Sequence, residues 1–187
     1  MSISKNFEND IKVNQVSEGN FTANISEDWS IGQTANGGYS MALLAKACSK
    51  YLEHKDPLVL SANYIDRVDF GPAEIEVSKI ATTKSTSSAS VSLRQKGILK
   101  IFSTVTFTDF SKMSGLNDNL RQAPDFESYE NCIQIPYKEG FNPKLDKNLE
   151  KKYCSDSIWW EKSDDKNDAV LKLFMGWKDG GLVDLFG

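Results

Sequence analysis

Long apolar segments, basic clusters and histidines are almost absent from this sequence of 187 residues. No stretch approaches the roughly 18 apolar residues in succession that a membrane-spanning helix requires. The formal net charge is -4 and no run of lysines or arginines occurs, so neither nucleic acid nor an anionic membrane surface is an expected partner. The N-terminus has acidic residues where a signal peptide needs an apolar core, and a cytoplasmic location is therefore expected by default.

Cysteine and histidine are too few for most metal sites. The cysteines, Cys48, Cys132 and Cys154, are widely spaced and form no C-x-x-C pair, so the sequence indicates neither a disulfide framework nor a zinc site. His54 is the only histidine, which excludes a multi-histidine metal site within one chain. We interpret His54 as a solvated residue that follows a helix, and we expect neither a metal nor a cofactor.

One stretch organises the rest of the sequence. A turn at residues 36–38, Asn-Gly-Gly, leads into residues 39–52, which are rich in alanine and leucine and are apolar on almost every side of a helical wheel. A helix that is apolar on nearly every face is a buried helix. The rest of the chain must therefore supply the elements that surround it.

Strand-like runs with apolar residues at alternate positions stand on both sides of this helix. They cover residues 20–29, 58–68, 73–81, 84–95 and 98–109, with turns at Gly71-Pro72 and Lys96-Gly97. Apolar residues on one face only are typical of an antiparallel sheet with one wet side. A sheet curled around one central helix accounts for the order strand, helix, four strands, which is an α+β hot-dog fold. A lipocalin-like barrel is disfavoured because such barrels run from strand to strand.

The pattern predicts a hot-dog domain over residues 1–110. Residues 111–150 are polar, contain three prolines and lack sustained periodicity, so we predict a linker with little regular structure. Residues 151–187 carry two strand patterns that cannot bury their own apolar faces. This tail must pack on the first domain, pair with another chain or begin a further module, and Trp159 and Trp160 are candidates for the contact.

Four motifs, in this order, resemble those of a known family: Gly32-Gln-Thr-Ala-Asn-Gly-Gly-Tyr39, Asp56-Pro-Leu-Val-Leu-Ser-Ala-Asn-Tyr64, Gly71-Pro72 and Val91-Ser-Leu-Arg-Gln95. Together they are similar to the thioesterase-like branch of the acyl-CoA thioesterase II family, over about residues 20–110. That family is a double hot dog, with two units in one polypeptide, and it typically hydrolyses acyl-CoA thioesters without a metal or organic cofactor. The resemblance implies that residues 151–187 are the opening strands of a second, incomplete unit.

Two departures from the family pattern matter. Arg67, preceded by Asp66, stands where the family usually has proline after the Tyr-x-x of the second strand. The catalytic Asp of the family, its hydroxyl partner and its Gln belong to the second unit, beyond Gly187. They cannot be transferred to any residue here, and the catalytic residues are left unassigned.

The turn before the helix carries the chemistry that the sequence does offer. Hydrolysis of a thioester requires donors for the developing oxyanion, and a helix N-terminus has free backbone N–H groups and a favourable dipole. We therefore predict a substrate-binding site at Asn36, Gly37, Gly38 and Tyr39. The alternative is a structural turn in which Asn36 is only the N-cap.

Hydrolysis also requires a group that positions or activates water. Asp66 and Gln95 are the secondary candidates, with a solvated turn acid and a structural amide as the respective alternatives. Tyr39 and Tyr64 are interpreted either as the lining of an acyl channel or as core residues.

The sequence thus predicts a thioesterase-like hydrolase that acts on an acyl-CoA or similar thioester. The alternative is a non-catalytic hot-dog module that binds acyl groups or a protein partner, because no acidic residue lies in the first turns of the helix. One hot-dog sheet has an exposed edge, and such edges need covering. A homodimer is therefore expected, or an intramolecular pseudo-dimer in a longer chain.

Overall fold

A six-stranded antiparallel sheet and one long helix form the larger part of the structure, a computed structural model that describes residues 5–115, 124–158 and 170–180. In chain order the elements are α1 (Lys5–Asp10), β1 (Val13–Ser17), β2 (Asn20–Ile25), β3 (Ser30–Ile31), β4 (Thr34–Ala35), α2 (Gly37–Tyr51), β5 (Asp56–Tyr64), β6 (Gly71–Thr82), β7 (Ser87–Gln95), β8 (Ile98–Thr108), β9 (Ile133–Gln134), β10 (Leu149–Tyr153) and β11 (Leu173–Trp177). Within these ranges, no helix is both long and apolar enough to cross a membrane.

The helix predicted over residues 39–52 is confirmed as α2. It begins two residues earlier, because the side chain of Asn36 accepts a hydrogen bond from the backbone N–H of Tyr39 and caps the first turn. Leu43, Leu44 and Cys48 are completely buried, and the helix contacts β1, β2, β5, β6 and β7. Burial of each such leucine stabilises the fold by about 2 kcal/mol, so the sheet and the helix depend on each other.

The main sheet has the strand order β1-β2-β6-β7-β8-β5, with every neighbouring pair antiparallel. The alternation predicted for three of its strands is confirmed, because residues of β6, β7 and β8 alternate between the buried face against α2 and the outer face. The hairpin predicted at Lys96-Gly97 is also confirmed. Both residues have positive φ angles, 51° and 78°, as a type I′ turn requires.

The strand predicted over residues 20–29, which is β2 in the structure, is shorter than predicted. It ends at Ile25 rather than at residue 29, because the hydroxyl of Ser26 accepts a hydrogen bond from the N–H of Asp28 and starts a 3₁₀ turn at Glu27–Trp29. The turn places the side chain of Trp29 in the core, where it is 4% exposed. The alternation of Phe21, Ala23 and Ile25 ends at Ile25, because residues 26–28 are Ser-Glu-Asp, and the apolar Trp29 does not continue the strand.

His54 also differs from the interpretation as a solvated residue. It is half-buried. Its Nδ1 lies 2.8 Å from the hydroxyl of Ser87, and its Nε2 lies 3.3 Å from the carbonyl of Lys84. The histidine thus connects the end of α2 to the beginning of β7.

A small second sheet, β11-β10-β9, lies beside the first. Trp177 of β11 stacks on Phe7 with ring centroids 5.0 Å apart and meets Trp29 edge-on at 5.8 Å. The described part of the tail therefore packs on the first domain, which is one of the three alternatives that the sequence left open. Trp159 and Trp160 lie outside the described residues.

Hydrogen bonds and an ion pair reinforce this packing. Asn148 donates from its side chain to the carbonyl of Asp28, and Lys144 pairs with Glu27. Both contacts join the segment before β10 to the 3₁₀ turn at Glu27–Trp29.

The division into a domain at residues 1–110, a linker at 111–150 and a partial second unit at 151–187 stays a prediction. The architecture of residues 13–108, a curled antiparallel sheet around one central helix, is the predicted hot-dog fold.

Candidate functional site

The N-terminus of α2 presents two backbone donors that the helix itself cannot use. The first four N–H groups of any helix lack an intrahelical acceptor. Asn36 satisfies the N–H of Tyr39 at 3.2 Å, and the N–H of Ser40 reaches the carbonyl of Asn36 at 3.0 Å. Among the described residues, none accepts a hydrogen bond from the N–H of Gly37 or Gly38. Both groups are therefore available to a ligand at the positive end of the helix dipole.

An open cleft borders this turn and has a volume of about 520 Å³. Residues of β4, the first turn of α2 and the segment after β5 line it, namely Thr34, Ala35, Gly37, Ser40, Tyr64, Ile65, Asp66, Arg67 and Val68. Tyr64 connects the two walls, because its hydroxyl donates to the carbonyl of Gly37 at 2.8 Å. A Cβ atom at Gly37 would lie only 3.0 Å from that hydroxyl oxygen, so a larger residue there would force the Tyr64 side chain to shift.

A buried lysine determines the position of Asp66 on the far wall. Lys100 is 5% exposed, and its ammonium lies 2.6 Å from one carboxylate oxygen of Asp66 and 3.6 Å from Asp69. The other oxygen of Asp66 accepts from the N–H of Arg67 at 2.8 Å. The hydrogen bond from Lys100, followed by that from Arg67, lowers the pKa of Asp66 below its ordinary 3.8, and the pKa of Lys100 is raised.

A β-bulge explains why this lysine is buried. Leu93 pairs with Ile101 and Arg94 pairs with Leu99, so Lys100 is an extra residue in β8. Its carbonyl accepts hydrogen bonds from the N–H groups of Ile65 at 2.8 Å and Asp66 at 3.2 Å. Both the backbone and the side chain of Lys100 therefore hold the segment that forms the far wall of the cleft.

Gln95 holds the continuation of the same segment. Its side-chain oxygen accepts from the N–H of Asp69 at 2.9 Å, and its side-chain nitrogen donates to the carbonyls of Asp69 at 2.8 Å and Pro72 at 3.3 Å. The residue is 5% exposed and does not line the cleft. The Gln95 side chain therefore positions the backbone of residues 69–72, which is the structural alternative given for it above. Asp66, by contrast, lines the cleft.

The four predicted substrate-binding residues at the turn, 36–39, have different roles in the structure. Asn36 is the N-cap, while Gly37 and Gly38 offer free donors. The side chain of Tyr39 is 2% exposed and points into the core, where its hydroxyl donates to the carbonyl of Asp10 at 2.8 Å and accepts from the N–H of Ser26 at 3.0 Å. Burial raises the pKa of Tyr39 to about 12. Tyr64, not Tyr39, is the tyrosine at the cleft.

Sequence reasoning missed Lys100. Strict alternation along β8 places Leu99 and Ile101 on one face and assigns the lysine to the outer face. The bulge reverses that assignment, and no residue pattern near Lys100 signals it. A lysine between two apolar residues in a strand that otherwise alternates cleanly is the only trace in the sequence.

Comparison with known proteins identifies relatives of this architecture. Residues 25–108 match the family model described as the acyl-CoA thioesterase N-terminal domain. No curated protein sequence matches the chain. The matched region runs from the end of β2 to the end of β8 and contains both walls of the cleft.

Solved structures share the fold at low sequence identity. A protein of unknown function with a hot-dog fold from Alicyclobacillus acidocaldarius is 16% identical with a TM-score of 0.80, over 95% of this chain and 64% of that one. A proposed thioesterase II from Thermobifida fusca YX is 19% identical with a TM-score of 0.72, over 84% of this chain and 58% of that one. An acyl-CoA thioesterase II from Mycobacterium marinum is 9% identical with a TM-score of 0.71, over 95% and 62%. This chain thus matches less than two thirds of the length of each.

We predict that Lys100→Met raises the pKa of Asp66 towards its ordinary 3.8, because the ammonium that stabilises the carboxylate is removed. Carboxyl-detected NMR titration of Asp66 measures this shift. Lys79→Met, which removes the partner of Glu53 instead, is the matched control and leaves Asp66 unchanged.

The same pair has a predictable effect on stability. A carboxylate whose pKa is lowered on folding contributes stability above its ordinary pKa, and the contribution is lost as the pH falls through the lowered value. The stability difference between the wild type and Lys100→Met should therefore shrink on acidification below pH 3.8. An unchanged titration of Asp66 in Lys100→Met would show that the lysine does not set its charge.

Proposed function

We propose that the chain is a member of the thioesterase-like superfamily and hydrolyses an acyl-CoA or a similar thioester in the cleft beside the N-terminus of α2, because residues 25–108 match the acyl-CoA thioesterase N-terminal domain. The observation that carries the proposal is a pair of unused backbone donors, at Gly37, which lines the cleft, and at Gly38, the next residue along the helix, near a carboxylate on the opposite wall.

The helix N-terminus is the proposed oxyanion site. When water attacks the thioester carbonyl, negative charge develops on the carbonyl oxygen, and preorganised N–H groups stabilise it more than they stabilise the neutral substrate. Gly37 and Gly38 provide two such groups without a side chain that would block a ligand. The dipole of a 15-residue helix adds to the effect.

Asp66 is the proposed group that orients water. It is the one carboxylate among the residues that line the cleft, and its lowered pKa keeps it ionised at neutral pH. An ionised carboxylate accepts a hydrogen bond from water and takes up its proton as the carbon–oxygen bond forms. Arg67, whose side chain is 59% exposed beside Asp66, offers a cation to the phosphates of a CoA moiety.

A non-catalytic hot-dog module that binds acyl groups or a protein partner is the second candidate. The observation that favours it is the ion pair between Asp66 and Lys100, which lowers the pKa of Asp66. A carboxylate with a lowered pKa is a weak base. Such a module would bind the acyl compound on the same two N–H groups and release it unchanged.

We also propose that the chain forms a homodimer through β5, or a pseudo-dimer in a longer chain whose second unit begins in residues 151–187. β5 is an edge strand, and its exposed apolar residues include Leu58 at 44% and Val59 at 55%, followed by Ile65 at 56%. Edge strands of this kind favour pairing with another strand.

A cytoplasmic location remains a prediction from the sequence.

A substrate panel tests the proposed activity. Short, medium, long and aromatic acyl groups are presented both as CoA thioesters and as N-acetylcysteamine thioesters, and the released thiol is measured. We expect turnover of some CoA thioesters with a lower KM than their N-acetylcysteamine counterparts, because Arg67 meets the phosphates. Saturable binding without turnover would favour the binding module, and neither binding nor turnover would remove both candidates.

Gly38→Val should reduce kcat by about 100-fold, because the branched side chain crowds the donor pair, and loss of one oxyanion donor costs this much. A Cβ at Gly38 would lie 3.1 Å from the side-chain oxygen of Asn36, a contact that a small shift relieves, so we expect the variant to fold. Gly115→Val is the matched control, since a Cβ there meets nothing within 4 Å. Retained activity in folded Gly38→Val would exclude the turn as the oxyanion site.

Asp66→Asn should lower kcat by about 100-fold or more, with little change in KM, because the amide cannot accept the proton. Asp69→Asn is the control. It removes the other carboxylate near Lys100, one that does not line the cleft; because Asp69 also pairs with Arg67, the two variants are compared by kcat. Since the pKa of Asp66 is lowered, the wild-type rate should stay constant as the pH falls and decrease only below about pH 4. Equal rates for both variants would contradict the role of Asp66.

The dimer is tested by light scattering over a range of concentrations. We expect a dimer for the wild type and for Ile80→Lys, which alters an exposed residue of β6, and dissociation for Val59→Lys, which puts a charge on the β5 edge. A wild-type monomer at high concentration would contradict the interface.

A further inference from the structure

Two buried cysteines lie together at one end of the small sheet. Ile133 of β9 pairs with Tyr153 of β10, so the next opposed positions are Cys132 and Cys154. Their sulfur atoms are 3.7 Å apart, and the residues are 6% and 1% exposed. Neither lines the cleft beside α2. The register between two strands, rather than a short spacing in the sequence, creates this pair.

A carboxylate completes the cluster. One ligand atom from each of Glu127, Cys132 and Cys154 can be chosen so that all three lie within 4.8 Å of one another. Glu127 is oriented by the backbone, because its Oε2 accepts a hydrogen bond from the N–H of Ser155 at 2.7 Å. A turn closed by the N–H of Asn131 and the carbonyl of Ser128 at 3.0 Å brings Glu127 and Cys132 to the same end of the sheet.

We propose that Glu127, Cys132 and Cys154 bind one Zn²⁺ ion, or another divalent ion with the same preference for thiolates. Two thiolates bound to a tetrahedral zinc at about 2.3 Å have sulfurs about 3.8 Å apart, close to the spacing observed. Cysteine sulfur and glutamate oxygen are both zinc ligands. Three protein ligands leave the fourth tetrahedral position for water.

The surroundings suit a site of this charge. A zinc ion with two thiolates and one carboxylate carries a net charge of about -1. Two lysines lie near the cluster: the ammonium of Lys152 donates to the carbonyl of Tyr129 at 3.2 Å, and that of Lys172 pairs with Asp156 at 3.0 Å. The hydrogen bond from Ser155 to Glu127 is the kind of outer contact that orients a metal ligand.

The position of the site defines its role. The ion joins the turn at residues 128–131 to the end of β10, and β10 pairs along its whole length with β11. β11 carries Trp177, which packs on Phe7 and Trp29 of the first domain. Metal binding should therefore stabilise the small sheet and its packing rather than take part in chemistry at the cleft.

The test uses the full chain, reduced and freed of metal with a chelator. The protein is dialysed against excess Zn²⁺ and then against metal-free buffer, and bound zinc is measured by mass spectrometry. We expect about one zinc per chain for the wild type and for Cys48→Ala, the control at the third cysteine. Cys132→Ser and Cys154→Ser should lose nearly all of it.

Cobalt gives a second readout that identifies the ligands. Co²⁺ should produce a thiolate-to-metal charge-transfer band in the wild type and in Cys48→Ala, and Zn²⁺ should abolish it. Glu127→Gln should retain the band but weaken binding by about tenfold or more. Because Glu127→Gln leaves both buried sulfurs in place, it tests the site even where a cysteine variant fails to fold.

Three results would overturn the proposal. The first is a reduced wild type that retains no zinc. The second is a zinc content that Cys132→Ser and Cys154→Ser leave unchanged, and the third is a Glu127→Gln variant that binds as tightly as the wild type. If Cys132 and Cys154 are isolated as a disulfide and the reduced protein retains no zinc, the proposal is overturned. The two cysteines would then be a redox pair.

Discussion

The burial of α2 is the constraint on which the rest of the structure depends. The sheet buries one side of the helix, including Leu43, Leu44 and Cys48, and the first N–H groups of the helix have no acceptor within it. Asn36 satisfies one of them and leaves those of Gly37 and Gly38 free. The fold therefore places two donors and a positive dipole end beside an apolar interior. A polarised carbonyl joined to an acyl chain suits that combination.

The opposite wall depends on long-range contacts that all converge on one segment. Lys100 accepts backbone hydrogen bonds from the start of the segment and forms the ion pair with Asp66, and Gln95 holds its continuation at Asp69 and Pro72. Thr34 and Ala35 both donate to the carbonyl of Val68, at 3.0 and 3.1 Å. Each contact is to backbone or to a charged group, so the cleft keeps its shape without a large apolar core of its own.

Periodicity and capping residues in the sequence predict the local features of the fold. The apolar coat of the helix, the alternation of the later strands and the N-cap at Asn36 are local properties, and the structure bears them out. The bulge at Lys100, the three backbone contacts of Gln95 and the meeting of Cys132 with Cys154 depend on which strands pair and in what register. Register depends on the pairing of whole strands and on the turns between them, so the alternation within a single strand does not reveal these contacts.

In the proposed function, the N–H groups of Gly37 and Gly38 receive the carbonyl oxygen of the ligand. NMR with an acyl-CoA analogue in which a methylene replaces the sulfur tests this directly, because the ketone keeps the carbonyl but cannot be hydrolysed. We predict downfield shifts of both glycine amide protons on binding, with little change at Tyr39, whose N–H is already held by Asn36. Binding that leaves both glycine amides unshifted would contradict the account.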